Sequence, residues 1–492
     1  MFINQKRKSN IDIMMEGTRL EPVDCLKYLG VWIDNKLSWR RHLNYLEEKM
    51  NKKYYQFVKI AANIWGIASD VASFIYHGAM EPAILYACEV WHTTVLQSPT
   101  AKSKLRKLQR LALLRICKAY RTVSFDALCI IGDVMPIDLK AQMIAKMAVV
   151  KKSGILVTAA RNEVPIQTPL RLRRHPAQKR VNCIVHDPDK ECDHSTATSS
   201  HQLKIFTDGS KSINGVGCAF VVYHQNVEAH HEEYQLPTWC SVYQAELTAI
   251  EHAIRFTRSR PETCISIFSD SRAAILAVKE ADTNDKLVQN IHSELRRCSN
   301  RRFELHWIKA HANIDGNERA DQLAKDASVN GAALSVAEPL SFAKHWLKTQ
   351  HEKMWNQEWT SSTTGRWTKQ LFPNLASRRK ATEFIPSFVT TQFATNHGKF
   401  NDYLHRFVPL SRTSETCKCG HAKQDAQHIF FSCDLLEEHR RCIKQWCRVN
   451  GTRFDDFLDG GFTEEIPARL ITNFFEEAHR ELIRWENEER RS

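Results

Sequence analysis

LKIFTDGS, residues 203–210, carries a short apolar alternation (Leu203, Ile205, Thr207) that ends on an acid, Asp208. Alternation of this kind is the mark of a strand with one buried face. A glycine-containing turn, GSKSINGVG, leads into a second β-rich run, CAFVVY (218–223), and EAHHEEYQL (228–236) reads as a third strand. The pattern then changes period. SVYQAELTAIEHAIRFTRS (241–259) places Leu247, Ile250 and Ile254 on one helical face. CISIFSD (264–270) is a strand, SRAAILAVKE and DKLVQNIHSELRRCS are helices, FELHWIK (303–309) is the last strand, and GNERADQLAKDAS (316–328) is the last helix. Strands first, then helix and strand in alternation, predict an α/β fold with a mixed sheet flanked by helices.

Four acids sit at the ends or edges of these elements: Asp208, Glu246, Asp270 and Asp321. Carboxylates gathered in one place need a compensating charge. Mg²⁺ is suited to supply it, because it takes oxygen ligands and keeps waters and phosphate oxygens in its shell. Mn²⁺ is the alternative ion. Two such ions about 4 Å apart activate a water and stabilise the leaving oxygen of a phosphodiester. Asp315, Glu318 and Asp326 are competing acids near Asp321; Asp315 falls before the helical run, and all three read as surface groups.

The ordered set TDGS, AEL, SDS and AHANIDGNERAD resembles a type 1 ribonuclease H domain over about 125 residues. The resemblance implies a five-stranded mixed sheet, with Asp208, Glu246, Asp270 and Asp321 as the metal-binding acids. It implies hydrolysis of RNA in RNA–DNA hybrids, leaving a 5′-phosphate and a 3′-hydroxyl. His311, on the loop before Asp321, would assist proton transfer or product departure. Hybrid recognition rests on 2′-hydroxyl contacts in a wide minor groove, and Ser210, Asn214, Gln244 and Ser271 are placed for them. Some family members carry a basic protrusion after the second helix; here that place reads EADTNDK, short and acidic. Substrate affinity is therefore expected to come from the flanks.

The flanks suit that expectation. The chain has 492 residues and a formal net charge of +13, which points to a polyanionic partner, with nucleic acid ahead of an anionic membrane. Residues 1–150 read as mainly helical after a short strand. AKSKLRKLQRLALLRICKAY (101–120) is basic and amphipathic, with Leu105, Leu108, Ala112 and Ile116 as its buried stripe. Lys104, Arg106, Lys107 and Arg110 on its other faces make it a candidate for tracking phosphates. Residues 151–200 lose periodicity and read as a linker. His186, Cys192 and His194 lie there without a metal-ligand spacing. The nuclease-like segment is assigned to 201–330.

Residues 331–492 return to helices, interrupted by Cys417, Cys419, His428 and Cys433 in a C-x-C-x8-H-x4-C pattern. Three thiolates and an imidazole make a closed structural Zn²⁺ site. The second half of the pattern resembles a retroviral zinc knuckle, while the first half departs from it. His421, Cys442 and Cys447 are spare candidates.

KYLGVWIDNKLSWRRHLNYLEEKMNK, YHGAMEPAILYACEVW and AYRTVSFDALCIIGDVMPIDL resemble the region after the palm of non-LTR (LINE-type) retrotransposon reverse transcriptases. In such elements that region precedes a ribonuclease H domain and a Cys/His knuckle, the order found here. No Tyr-x-Asp-Asp motif is present, and the only Asp-Asp pair, Asp455–Asp456, lies near the end, so no DNA synthesis is expected. The alternative to a working nuclease is a catalytically idle nucleic-acid-binding remnant. No apolar run is long enough to span a membrane. Fifteen cysteines without a signal-like opening predict an intracellular, reducing compartment, nuclear or cytoplasmic.

Overall fold

The computed structural model describes residues 13–492 apart from 17, 21–22, 63–65, 159–162, 168–182, 187–201, 282, 284, 311, 409–413, 455–466, 490 and 492. The described residues fall into two compact units, one within 149–344 and one formed by the stretches within 1–148 and 345–492.

The first of these is built on a seven-stranded sheet. Its strands are β1 (Cys183–Val185), β2 (Gln202–Ser212), β3 (Gly215–His224), β4 (Val227–Leu236), β5 (Cys264–Ser269), β6 (Arg302–Trp307) and β7 (Ala332–Ala333). They lie in the order β7-β4-β3-β2-β5-β6-β1. The β2–β3 and β3–β4 pairs are antiparallel; the β2–β5, β5–β6, β6–β1 and β4–β7 pairs are parallel. The five inner strands are those expected. The additional edges, β1 and β7, are too short to carry a readable period, and β1 falls within the stretch read as a linker.

Alternation along the strands splits the core between the two faces. Leu203, Ile205, Ile267 and Leu305 pack with helices α1 (Val242–Phe256), α2 (Arg272–Lys279) and α3 (Lys286–Arg297), through Leu247, Ile250, Ile275 and Val288. Phe206, Val221 and Phe268 lie on the other face, under Leu323 and Ala324 of α4 (Asp315–Asn330). Gly217 permits this close contact, since a Cβ there would lie 2.2 Å from the Ala324 carbonyl. Asp315 is the first residue of α4, so the helix begins earlier than the sequence reading puts it. Ile314 precedes it without a side-chain cap, leaving no Ser, Thr or Asp to signal the start.

In the second unit the helical stretches before and after the nuclease-like segment share one core. Leu105, Leu113 and Ile130 cluster with Trp359, Phe372 and Phe393. Polar links reinforce it: Arg378 Nε donates to the Ile131 carbonyl at 3.0 Å, and Thr391 Oγ1 to the Cys117 carbonyl at 2.6 Å. The two stretches treated as separate regions in the sequence are one body. Within the N-terminal stretch that reads as mainly helical, the run from Ser69 to Gln97 is interrupted. Ser69–Ile75 passes into a wide π turn at Tyr76–Met80, just ahead of Pro82, and a new helix runs Cys88–Gln97. Proline has no N–H for the helical ladder, which accounts for the local rearrangement. Among the described residues, no helix is long and apolar enough to cross a membrane.

Candidate active site

Strand β2 carries Asp208 into the sheet's interior, where it is 6% exposed. The next residue is glycine for a steric reason. A Cβ on Gly209 would stand 2.6 Å from the Glu246 amide nitrogen and 2.8 Å from the Ala245 Cβ. The strand and helix α1 therefore touch backbone to backbone, which brings Glu246 to Asp208. Glu246 is buried, and Ser269 Oγ donates to its Oε2 at 3.4 Å. Helix α1 is held in register by a capping box between Ser241 and Gln244. Asp270 follows directly on β5, and its carbonyl accepts from Trp307 Nε1 at 2.9 Å.

Asp208, Glu246 and Asp270 each offer a carboxylate oxygen, and the three lie within 4.8 Å of one another. Burial pushes the Asp208 carboxyl up to about 7, with Asp270 and Asp321 adding like-charge repulsion. Glu246 is raised by its burial and then by Asp208 and Asp270. Two buried acids that resist ionisation mark a centre short of positive charge. An all-oxygen donor set of this kind fits a hard divalent cation such as Mg²⁺. Asp321 acts on Asp208 electrostatically but stands outside the tight trio, with Lys325 Nζ 2.5 Å from its carboxylate. His311 lies outside the described residues. Asp315, Glu318 and Asp326 are exposed, as read from the sequence.

Residues 200–329 match the RNase H family model. This segment is an RNase H domain. The chain is 30% identical over 133 residues to a 115 kDa protein of the type-1 retrotransposable element R1DM of Drosophila melanogaster; the match covers 27% of this chain and 13% of that protein. It is 25% identical over 227 residues to a retrovirus-related Pol polyprotein from the type-1 retrotransposable element R1 of Popillia japonica, covering 44% of this chain and 84% of the relative. Ribonuclease H1 of Halobacterium salinarum aligns with 26% of this chain and 96% of its own, at 20% identity and a TM-score of 0.23. The chain thus spans a small part of the first relative and most of the second.

Within the RNase H domain the proposed substrate contacts divide. Gln244 Oε1 and Ser271 Oγ serve helix N-caps, but the Gln244 side-chain amide nitrogen is buried without a partner among the described residues. Ser210 and exposed Asn214 line a polar cleft of about 360 Å³ with Ser212, Lys325 and Ser328. The connection where a basic protrusion would stand occupies only 280–285, between α2 and α3. Sequence reading missed Gly209, Ser269 and Lys325. The spacing of Lys325 four residues after Asp321 was the available signal for one of them.

The basic helix Pro99–Ile116 corrects an expectation. Arg106 donates to both oxygens of buried Asp138, at 2.9 and 2.8 Å, and to Glu358 at 2.7 Å. Arg110 donates to the Arg121 and Val123 carbonyls. Lys104 contacts Asn44 and Glu47. Lys107 is exposed. Arg106 and Arg110, read as phosphate contacts, are thus committed to internal acids and carbonyls that the sequence did not pair with them. The expected apolar stripe is buried.

Cys417, Cys419, His428 and Cys433 converge, their ligand atoms within 4.8 Å of one another. Cys417 Sγ is 3.8 Å from Cys433 Sγ, and Cys419 Sγ is 3.3 Å from His428 Nε2. Tetrahedral zinc with bonds of about 2.3 Å to sulfur sets sulfur–sulfur edges of about 3.8 Å. The donor set fits Zn²⁺. Gly420, at φ +91°, makes the turn between the cysteines and His421, and Asp425 caps the short helix that presents His428. His421 stacks on His428 at 4.0 Å but is not one of the convergent four, nor are Cys442 and Cys447.

Proposed function

We propose that the RNase H domain hydrolyses the RNA strand of RNA–DNA hybrids with Mg²⁺ held by Asp208, Glu246, Asp270 and Asp321. The observation that carries the reading is the convergence of three carboxylates within 4.8 Å, two of them held above their ordinary range by burial and mutual repulsion. A pair of bound Mg²⁺ ions, or Mn²⁺ in their place, supplies an activated water and charge for the leaving oxygen. The chain's own groups do the rest. Asp208 and Glu246 are fixed by the close strand–helix contact at Gly209, and Ser269 orients the Glu246 carboxylate. Asp270 sits at the open end of β5, where a phosphodiester has access. His311 assists proton transfer, and the products carry a 5′-phosphate and a 3′-hydroxyl.

The Gln244 side-chain nitrogen, without a partner among the described residues, and Ser210, Asn214 and Ser271 are the candidate contacts for the 2′-hydroxyls that separate a hybrid from DNA. The Cys417 group holds structural Zn²⁺ in the other unit. Similarity to proteins of type-1 retrotransposable elements, one of them a Pol polyprotein, supports the nucleic-acid setting. The reading is tested by offering the full chain, with Mg²⁺, equal amounts of RNA–DNA hybrid, single-stranded RNA and duplex DNA. Selective cutting of the hybrid RNA strand with 3′-hydroxyl ends is expected; cutting of duplex DNA at a similar rate would overturn the substrate assignment.

A further inference from the structure

Strand β1 joins the sheet through three residue pairs with β6, from Phe303↔Cys183 to Leu305↔Val185. His186 continues it, its amide donating to the Leu305 carbonyl at 3.0 Å. The register sets His186 beside His306, and their rings stack at 4.1 Å with 13° between planes. They extend a row across neighbouring strands: Phe206 stacks on Phe268 at 4.9 Å, and Phe268 on His306 at 5.0 Å.

Stacking alone accounts for the ring faces but not for the polar edges. His186 Nε2 is 3.6 Å and His306 Nε2 is 3.5 Å from the same oxygen, Glu304 Oε2. The other carboxylate oxygen is held by Arg302 at 2.9 Å, which leaves Oε2 turned to the two imidazoles. Zinc bonds of 2.0–2.1 Å to nitrogen and oxygen set ligand–ligand edges of about 3.3 Å in a tetrahedron, close to these separations. Two neutral imidazoles and one carboxylate favour a borderline transition cation over Mg²⁺. The near-parallel rings would have to splay to aim both lone pairs at one ion. The His186 side chain, 44% exposed at the strand's end, has room to turn, whereas His306 is packed against Phe268.

We propose that His186, Glu304 and His306 form a three-ligand site for Zn²⁺ or a similar borderline divalent cation, and that its occupancy fastens β1 to the sheet edge. It shares no ligand with the acid trio or the Cys417 group. Two strands that meet through three residue pairs gain a cross-link from such an ion.

Full-length chain freed of metal by chelation, then given excess Mg²⁺ to occupy the acids, should take up about two Zn²⁺ per chain. His186→Ala and Glu304→Gln should each take up about one, and with Co²⁺ both should keep the sulfur-to-metal charge-transfer band. Cys433→Ser, which leaves Cys417, Cys419 and His428, should weaken that band and keep the His186 site. Equal zinc uptake by wild type and His186→Ala would overturn the proposal, as would wild-type zinc that disappears entirely in Cys433→Ser. Zinc lost in His186→Ala but retained in Cys433→Ser, with no sulfur band in wild type, would instead remove the Cys417 assignment and leave this site standing.

Discussion

Arg106 grips Asp138 with two hydrogen bonds, at 2.9 and 2.8 Å, and the Asp138 side chain is only 2% exposed. The arginine holds the Asp138 carboxyl below its ordinary range in spite of the burial that raises it. A basic face that reads as a phosphate ladder is here partly an internal brace. Arg106→Ala should therefore lower stability by about 2–3 kcal/mol, Lys102 taking up part of the loss at 2.9 Å from Asp138. Its hybrid affinity should keep the wild-type salt dependence. Lys107→Ala, at an exposed position, should do the reverse, leaving the melting temperature unchanged and reducing the salt slope by about 1 if this helix meets phosphates. Melting curves and binding at several salt concentrations separate the two.

Acidity should act on the metal-free protein in an unusual direction. Asp208 has a folded pKa of about 7 against an ordinary 3.8, and Glu246 shifts the same way. The folded state thus holds protons that the unfolded state has released across that window. Stability is fully present below the ordinary carboxylate range and falls as pH rises through about 7. Mg²⁺ should abolish the fall by replacing the protons. Asp208→Asn should flatten the profile and stabilise the metal-free protein above neutral pH by about 2 kcal/mol. Chemical denaturation across pH with chelator or Mg²⁺ measures this; a wild-type profile that rises from pH 4 to 7 without metal would refute it.

Gly209→Ala should damage the site without altering any acid. The new methyl would stand 2.6 Å from the Glu246 amide, where backbone must yield. Overpacking of this sort costs about 1–3 kcal/mol. Separation of β2 from α1 should also weaken Mg²⁺ binding, read as a higher Mg²⁺ requirement for cleavage. An unchanged requirement would show that the Asp208–Glu246 approach does not depend on this contact.

Zinc removal should loosen the Cys417–Cys433 turn while sparing the RNase H domain. Among the described residues the cysteines are unpaired in disulfides, and Arg440, 1% exposed, donates to the Cys433 carbonyl. Chelation, or Cys433→Ser, should speed proteolysis within residues 414–454 by about tenfold or more. Unchanged cleavage there would contradict the zinc assignment.

Local period and chemistry made the inner sheet readable. Leu203, Ile205 and Thr207 alternate within one strand, which runs on past Asp208 to Ser212 instead of ending at the acid, while Asp270 directly follows its strand and Glu246 and Asp321 lie on helices. What escaped reading was long-range. Cys183–Val185 is too short to alternate, so its place beside β6 depends on a partner more than a hundred residues away. The burial of Leu113 with Phe372 and Phe393 likewise joins stretches that the sequence keeps apart. Arg106 shows the same limit at one side chain: its charge is visible in the sequence, but its partners, Asp138 and Glu358, come from two other helices. Asp321, read as one of four metal-binding acids, lies outside the trio that converges, and Lys325, four residues on, engages its carboxylate.

The central claim is tested most directly by the initial rate at which purified full-length protein cuts an RNA–DNA hybrid in Mg²⁺, compared with Asp208→Asn under the same conditions. The account predicts Mg²⁺-dependent cleavage by the wild type, slowed about a hundredfold or more in the variant. A wild-type rate no higher than that of Asp208→Asn would contradict it and leave the chain as a nucleic-acid-binding remnant.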